Sequence, residues 1–262
     1  MITFHFSTYR QNPIFLMKTS AVLAALGVCL AMAVAGKTTT FTDDVKPFPQ
    51  PVNPEGSVLT AIKYKPSLNI AEDECSSYPA VDEHGVTSNG VPKGVDCFIP
   101  DKDSQVYTRG CWHDKVWAQM YAWYFPFDGI STWQNVVLFL NNPTANKQVI
   151  LAVSFSSADK DDGYDSQKPP REAFVKGSTT KFMYANERLF LDENSPIRLQ
   201  PLITWELLTS KAKIALNDPF SFGGAQAPFN EHKFEQNIEK AWHAANLPVA
   251  ATDYVAVVET LP

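Results

Sequence analysis

The chain has 262 residues, of which 45% are hydrophobic and 19% are charged, a composition that suits one sizeable globular domain or two small ones. Its formal charge is -6 and its pI is about 5.4, so it lacks the basic excess of nucleic-acid-binding proteins. The acidic balance also excludes simple electrostatic attraction to anionic lipids.

The N-terminus has the pattern of a secretory signal peptide. Lys18 follows Met17, and an apolar stretch from 21 to 35 ends in the small residues Ala-Val-Ala. The stretch is shorter than the roughly 20 residues that a helix needs to span a bilayer. We therefore predict a signal peptide over residues 1–35, with translation starting at Met1 or at Met17.

The segment after the predicted cleavage site is rich in proline and has little periodicity. We interpret residues 36–56 as an extended N-terminal arm and residues 57–262 as one folded domain. Cleavage removes Arg10 and Lys18 and no acidic residue, so the formal charge of the mature chain falls from -6 to -8.

Of the four cysteines, Cys29 leaves with the signal peptide. The remaining three can form at most one intramolecular bridge in an oxidising compartment. We predict a bridge between Cys75 and Cys97 across a turn-rich segment, where it would stabilise the fold by ~3 kcal/mol. Cys111 could instead pair with either of them.

Strand-like segments dominate the rest of the chain. They are short, rich in β-branched and aromatic residues, and bounded by Pro, Gly, Asn or Asp. A strand-like alternation also covers 57–70. The segments that share these features are 57–70, 116–125, 135–140, 148–155, 180–191 and 196–205.

Two segments have helical spacing. In residues 230–248, Phe234 and Trp242 belong to an apolar series at helical intervals, with Asn230 as a candidate N-cap. A second helix is predicted at about 204–216. Many strands and few helices predict a mainly β fold, a β-sandwich of two antiparallel sheets with a few peripheral helices.

Motifs for catalysis are missing from the sequence. It contains no Gly-x-Ser-x-Gly elbow, no His-Glu-x-x-His pair and no phosphate-binding loop. No two of the five histidines are spaced like metal ligands on one element. The sequence therefore gives no support to a hydrolase, although residues distant in sequence could still form such a site.

Two further groups invite a ligand-binding interpretation. The acidic segment 159–165 resembles a calcium loop, but Gly163 falls one position early and no glutamate closes the loop, so we predict a solvated acidic hairpin. Trp112 and Trp117 lie among strand-like residues, and we expect both to pack in the core rather than to stack on a ligand.

The sequence AQMYAWYFPFD, residues 118–128, resembles the undecapeptide AIMYAWYFPKD of the necrosis- and ethylene-inducing peptide-like proteins (NLPs). It differs only at Gln119 and Phe127. The matching residues are Ala118, Met120, Tyr121, Ala122, Trp123, Tyr124, Phe125, Pro126 and Asp128. Segments 78–90, 104–112, 200–208 and 227–242 also resemble the family, so the resemblance covers nearly all of residues 57–245.

This resemblance implies a secreted protein with a β-sandwich of the actinoporin-like kind and no catalytic turnover. Members of the family come from oomycetes, fungi and bacteria, many of them plant pathogens. Cytolytic members bind the sugar headgroup of plant sphingolipids and damage the plasma membrane. They hold calcium or magnesium through the aspartate that ends the undecapeptide and through a histidine, an aspartate and a glutamate of the heptapeptide GHRHDWE.

The present sequence departs from that ligand set. With Trp133 aligned to the tryptophan of the heptapeptide, Gly129 replaces the ligand histidine, Thr132 the aspartate and Gln134 the glutamate. Asp128 is then the residual metal-ligand candidate. Because calcium affinity follows the charge and number of the ligands, we expect no bound divalent cation. Carboxylates of the neighbouring acidic hairpin, Asp159, Asp161 and Asp162, are the candidate replacements.

These observations predict a secreted NLP effector of a plant pathogen, most consistent with an oomycete, that acts in the host apoplast without lysing cells. The alternatives are a cytolysin with rearranged ligands, a lectin-like module and, last, an apoplastic enzyme. The resemblance implies plant sphingolipid headgroups and a plant immune receptor as partners, and the changes at Gln119, Phe127 and 129–134 count against both. We expect a monomer without a nucleic-acid partner or a transmembrane span in the mature chain.

Overall fold

A computed structural model describes residues 39–40, 45–72, 74–88, 97, 104–127, 130–144, 148–160 and 163–247. All of them lie in the compact unit of residues 37–262. The predicted signal peptide and part of the predicted arm fall outside the described residues. No helix in the described part of the chain is long and apolar enough to cross a bilayer.

The described elements are strands, three α-helices and short 3₁₀ turns. The strands are β1 (Thr39–Thr40), β2 (Ser67–Ile70), β3 (Thr87–Ser88), β4 (Val106–His113), β5 (Val116–Phe127), β6 (Ile130–Leu140), β7 (Ile150–Ser156), β8 (Tyr164–Gln167), β9 (Val175–Lys176), β10 (Thr179–Ala185), β11 (Arg188–Leu191) and β12 (Leu202–Thr204). The helices are α1 (Gly56–Lys63), α2 (Ser210–Asn217) and α3 (Phe234–Ala245), with 3₁₀ turns at Glu172–Phe174 and Trp205–Leu207.

Two sheets form the sandwich. The larger has the order β12-β4-β5-β6-β7-β8, and the smaller has the order β11-β10-β2 with β9 also paired to β10. Most pairings are antiparallel, but β12 is parallel to β4 and β2 is parallel to β10. The predicted β-sandwich with peripheral helices is confirmed, with one parallel pairing in each sheet.

The larger sheet is buried on both faces. One face packs against the smaller sheet, where the ring of Phe125 stacks on Tyr184 with centroids 3.9 Å apart. The other face packs against α2 and α3, where Trp242 meets Phe139 at 5.4 Å. Helices therefore cover one face of this sheet and strands the other.

This double burial explains the apolar run 118–125. Side chains alternate along β5: Met120 and Tyr124 point to the helices, whereas Tyr121 and Trp123 point to the smaller sheet. A strand buried on both faces needs apolar residues at consecutive positions. The run is thus the central strand of the fold.

Gln119 is the polar exception in β5, and it is 2% exposed. Its Oε1 accepts from Trp117 Nε1 at 2.8 Å, and its Nε2 donates to Thr108 Oγ1 at 2.6 Å. Thr108 Oγ1 in turn donates to the carbonyl of Met120 at 2.6 Å. A buried amide is tolerated here because both its oxygen and its nitrogen are hydrogen-bonded.

The strand predicted at 57–70 was partly wrong. Residues 56–63 form α1, and only Ser67–Ile70 forms a strand. Leu59 and Ile62 are three residues apart, which fits a helix, whereas Ile62 and Tyr64 are two apart, which fits a strand, so the local pattern was ambiguous. Tertiary packing decides, because Ala61 of the helix is buried in the core between the sheets.

The predicted helix at 204–216 is divided in two. A 3₁₀ turn at Trp205–Leu207 precedes α2, because Thr209 caps a new helix by accepting the N–H of Ala212 at 3.2 Å. Asn230 makes the capping hydrogen bonds expected of the predicted N-cap, but α3 starts later than predicted, with Lys233 at its N-cap position. Asn230 Oδ1 accepts from the N–H groups of His232 and Lys233, which closes a turn before α3 begins at Phe234.

The two tryptophans of the β4–β5 hairpin differ in exposure. Trp117 is 9% exposed and lies in the core between the sheets, as predicted. Trp112 is 54% exposed, so the prediction that it packs in the core was wrong. The two rings meet edge to face at 5.6 Å, which leaves much of Trp112 in solvent.

The predicted disulfide is confirmed. Cys75 and Cys97 are bonded, with their Cα atoms 4.8 Å apart, and both pack against Tyr78. Cys111 has a free thiol, so it pairs with neither. Burial raises the pKa of this thiol to about 11, which keeps it protonated at neutral pH.

We expect the double substitution Cys75→Ala/Cys97→Ala to lower the free energy of unfolding by about 3 kcal/mol, because the unfolded chain regains the freedom of the closed loop. Urea unfolding monitored by tryptophan fluorescence measures this loss. Cys111→Ala is the matched control and should retain most of the stability. A larger loss in the control than in the double variant would contradict the assignment.

Candidate functional site

The end of the β5–β6 hairpin holds the residues that align with the heptapeptide. The strands pair from Trp117↔Leu140 to Phe127↔Ile130, with Phe125 opposite Thr132 and Trp123 opposite Gln134. The connecting residues, Asp128 and Gly129, lie outside the described residues. The role of Asp128 as the residual metal-ligand candidate therefore stays a prediction.

Alternation along β6 separates Trp133 from its two neighbours. Thr132 and Gln134 share the face that carries Val136, toward the smaller sheet, whereas Trp133 points to the helical side. The ring of Trp133 lies 5.2 to 5.7 Å, centroid to centroid, from four other aromatic rings, which are Tyr107, Tyr124, Phe222 and Phe229. Trp133 is therefore part of the core and stands apart from the site chemistry.

Thr132 makes a side-chain hydrogen bond with Tyr184 of β10, a buried tyrosine in the opposite sheet. Burial raises the pKa of Tyr184, the nearby carboxylates Glu74 and Glu187 raise it further, and the bond from Thr132 opposes the shift. The tyrosine is thus a neutral hydroxyl at physiological pH. Thr132 thus forms a neutral contact between the sheets.

Gln134 also bridges the sheets. Its Oε1 accepts from Ser156 Oγ of β7 at 2.5 Å, and its Nε2 donates to the carbonyl of Glu187 at 3.1 Å. Ser156 Oγ accepts from the backbone N–H of Asn135 at 3.1 Å. Both ends of the amide are therefore engaged by the protein.

The tight turn between β10 and β11 brings the carbonyl of Glu187 to Gln134. Asn186 and Glu187 both have positive φ, 50° and 60°, between the paired residues Ala185 and Arg188. Positive φ at two central residues is typical of the two-residue hairpin turns that match strand twist. The N–H of Glu187 donates to Glu74 Oε1 at 3.2 Å, which further holds the turn.

Arg188 places a cation beside the acidic hairpin. Its guanidinium forms an ion pair with Asp159, and both side chains are substantially exposed. Asp159 lies just after β7, in the hairpin predicted from the sequence, whereas Asp161 and Asp162 lie outside the described residues. Asp159 is the candidate replacement ligand that lies among the described residues, and it is already paired with the Arg188 guanidinium.

The structure brings Thr132 and Gln134 together, but it surrounds them with residues that the sequence alone did not identify. These are Ser156, Tyr184, Glu187 and Arg188, which come from β7 and the β10–β11 hairpin. The Asn-Glu turn was a possible local signal for the hairpin, but nothing local linked it to Gln134. No group of three or more His, Cys, Asp or Glu residues in the described part of the chain is arranged to hold a metal ion.

Comparison with known proteins identifies the family to which this fold belongs. Residues 59–241 match the family model described as necrosis inducing protein, NPP1. This chain belongs to the NLP family. The chain is similar to NLP effector protein 9 of Plasmopara viticola, with 40% identity over 209 residues that cover 76% of the chain and 72% of that relative.

Two solved NLP structures share the fold. One is the non-toxic HaNLP3 protein, at 34% identity and a TM-score of 0.69, covering 76% of this chain and 98% of HaNLP3. The other is NLPPya in complex with glucosamine, at 32% identity and a TM-score of 0.69, covering 78% of this chain and 98% of NLPPya. The predicted membership of the NLP family and its fold are therefore confirmed.

Gln134→Glu tests how the present surroundings treat a carboxylate. The new oxygen would face the carbonyl of Glu187 across about 3.1 Å, where Gln134 now donates a hydrogen bond. Repulsion raises the pKa of the introduced carboxyl in the folded state. Stability should therefore fall by about 1 kcal/mol at neutral pH and recover as the pH falls through that pKa.

Urea unfolding at neutral and at mildly acidic pH, each referenced to the unmodified chain, measures this effect. Gln134→Ala is the control, since it removes both hydrogen bonds without adding a titratable group. Its loss of stability should be the same at both pH values. A pH-independent loss for Gln134→Glu would show that the Glu187 carbonyl does not face this side chain.

Proposed function

We propose that this chain is a secreted NLP effector of an oomycete plant pathogen that acts in the host apoplast and contributes to virulence without lysing plant cells. The observation that carries the proposal is the pair Thr132 and Gln134. Both occupy ligand positions of the family, both are neutral, and both are hydrogen-bonded across the two sheets.

The described residues at this site fit a divalent cation poorly. Calcium and magnesium prefer several anionic oxygens. Thr132 and Gln134 would offer only neutral oxygens, and the amide oxygen of Gln134 already accepts from Ser156. A cation would have to displace that hydrogen bond and would gain no negative charge in return.

The surrounding charges support the same proposal. Carboxylates remain near the site at Glu74, Asp159 and Glu187, but Asp159 is paired with Arg188. The Arg188 guanidinium adds a positive charge that opposes a second cation nearby. A cytolysin with rearranged ligands would have to break this ion pair first.

The relatives support an NLP effector. The chain matches NLP effector proteins of Plasmopara viticola and Phytophthora capsici over most of its length. One structural neighbour is named as non-toxic, so the fold occurs in a protein without toxicity. We extend that property to this chain, and the family resemblance supports an action without catalytic turnover.

Leaf infiltration tests the absence of lysis. Purified mature protein, introduced into leaves of a dicot, should cause no necrosis at concentrations at which an active NLP produces lesions. The active NLP is the positive control, and a heat-denatured sample of this chain is the negative control. Lesions that require the folded protein would contradict the proposal and would favour a cytolysin with rearranged ligands.

Calorimetric titration with calcium or magnesium tests the site itself. The unmodified chain should bind neither ion more tightly than about 1 mM, the weak end of protein calcium sites. Thr132→Asp/Gln134→Glu adds two carboxylates and should strengthen binding by at least about tenfold. Micromolar binding by the unmodified chain would overturn the proposal.

A lectin-like activity is the second candidate, and the glucosamine complex of NLPPya favours it. The side chains that would meet such a ligand here include Glu74 and Glu187, whose carboxylates lie at the β10–β11 turn beside Gln134. Titration with glucosamine, observed by amide chemical shifts, separates the candidates. Shifts clustered at the β10–β11 turn, together with no leaf necrosis, would support a non-lytic glycan-binding effector.

A further inference from the structure

The outer edge of β4 is open beyond the end of β12. β12 pairs with β4 only from Val106 to Thr108, whereas β4 continues to His113. The N–H of Val106 donates to the carbonyl of Pro201, so the backbone groups of Val106 point to the β12 side. The last five residues of β4 therefore have β5 as their sheet partner on one side and no described strand on the other.

Backbone direction alternates along a strand, so the N–H and C=O groups of Gly110 and Trp112 point the same way as those of Val106. No described residue pairs with them on that side. Packing requires a glycine at position 110, because a Cβ there would lie 2.5 Å from Cζ2 of Trp117. Two residues of the open edge thus present backbone donors and acceptors.

An acidic groove of about 460 Å³ lies beside this edge, between β4 and α3. Three exposed glutamates line it, which are Glu206, Glu235 and Glu239. Glu239 contacts His113 at 3.4 Å and His243 at 2.8 Å. Among the described residues, Glu206 and Glu235 have no ion pair within 4.0 Å.

The one arginine of the groove is directed at the protein. The guanidinium carbon of Arg109 lies 4.9 Å from the centre of the Trp205 ring and 4.5 Å from that of Phe234. One of its nitrogens donates to the carbonyl of Phe229 at 3.1 Å. Lys213 does not line the groove, but its Nζ lies 3.5 Å from the backbone carbonyl oxygen of Glu206, and Arg109 interacts electrostatically with Glu206 and Glu235. Three lining carboxylates still outnumber these two cations. The solvent side of the groove therefore has an excess of carboxylates.

We propose that the open edge of β4 binds an extended segment of a partner protein that carries Lys or Arg at alternate positions. The segment adds a strand through the backbone groups of Gly110 and Trp112, a recurrent mode of peptide recognition. Its basic side chains face Glu206 and Glu235 on the helical side, and its intervening apolar side chains face the exposed ring of Trp112 on the other. Two copies of this chain would bring like-charged glutamates together, so the charge favours a basic partner over a second copy.

Fluorescence anisotropy with the purified mature chain tests this proposal. The probe is a short labelled peptide of repeated Lys-Val, and its counterpart is the same peptide with Glu in place of Lys. The Lys-Val peptide should bind at least about tenfold more tightly, and added salt should weaken its binding. Amide hydrogen exchange of Gly110 and Trp112 should slow when this peptide binds.

Substitutions separate the two contributions. Trp112→Pro removes the open-edge N–H without removing a β5 pairing bond and should weaken binding at least about tenfold, whereas Trp112→Ala keeps that N–H and should weaken it less. Glu206→Lys/Glu235→Lys should abolish the preference for the basic peptide. Glu193→Lys, at an exposed glutamate that does not line the groove, should leave binding unchanged.

Equal affinity for the two peptides would overturn the proposal, as would unchanged affinity in the charge-reversal variant. Sedimentation of the free chain as a dimer that Glu206→Lys/Glu235→Lys disrupts would also overturn it, because the occupant of the edge would then be a second copy. Circular dichroism verifies that each variant is folded. If Trp112→Pro does not fold, the charge-reversal variant and the exchange of Gly110 still decide the question.

Discussion

The burial of β5 and β6 on both faces is the constraint on which the rest of the structure depends. A strand in this position must fill two cores at once, so it needs consecutive apolar side chains and complete backbone pairing. Tyr121 and Trp123 fill the core between the sheets, and Met120 and Tyr124 fill the core under the helices. Within these strands, little can change without leaving a cavity or an unpaired polar group.

At the end of the β5–β6 hairpin, residues 131–134 are only partly buried, and neighbouring residues pack on different sides of the sheet. Trp133 belongs to an aromatic cluster on the helical side, while Thr132 and Gln134 face the smaller sheet. Because strand alternation puts them on opposite faces, residues 132 and 134 can be neutral while Trp133 keeps its place in the aromatic cluster. A site of neutral hydrogen bonds across two sheets is the physical result, and it underlies our proposal of a non-lytic effector.

The edge of the same sheet has a different character. β12 covers β4 only in part, and the uncovered portion lies beside the carboxylates of Glu206, Glu235 and Glu239. Acidic side chains discourage pairing between copies of an acidic chain while they favour a basic segment. The end of the β5–β6 hairpin and the open edge of β4 are therefore two separate surfaces of the larger sheet.

The sequence by itself determined the β-sandwich and the family, because the apolar run 118–125 and the ordered motifs are local signals. It predicted the Cys75–Cys97 bridge, but the tertiary structure decided that Cys111 stays free. The sequence also determined that residues 132 and 134 lack charge. Only the tertiary structure decided that α1 is a helix and that Trp112 is exposed. Local residue spacing is compatible with either helix or strand and with either burial or exposure, so packing against the neighbouring elements decides. The partners of Gln134 also came from the tertiary structure alone, because Ser156 and Glu187 are distant in sequence and strand packing brings them together.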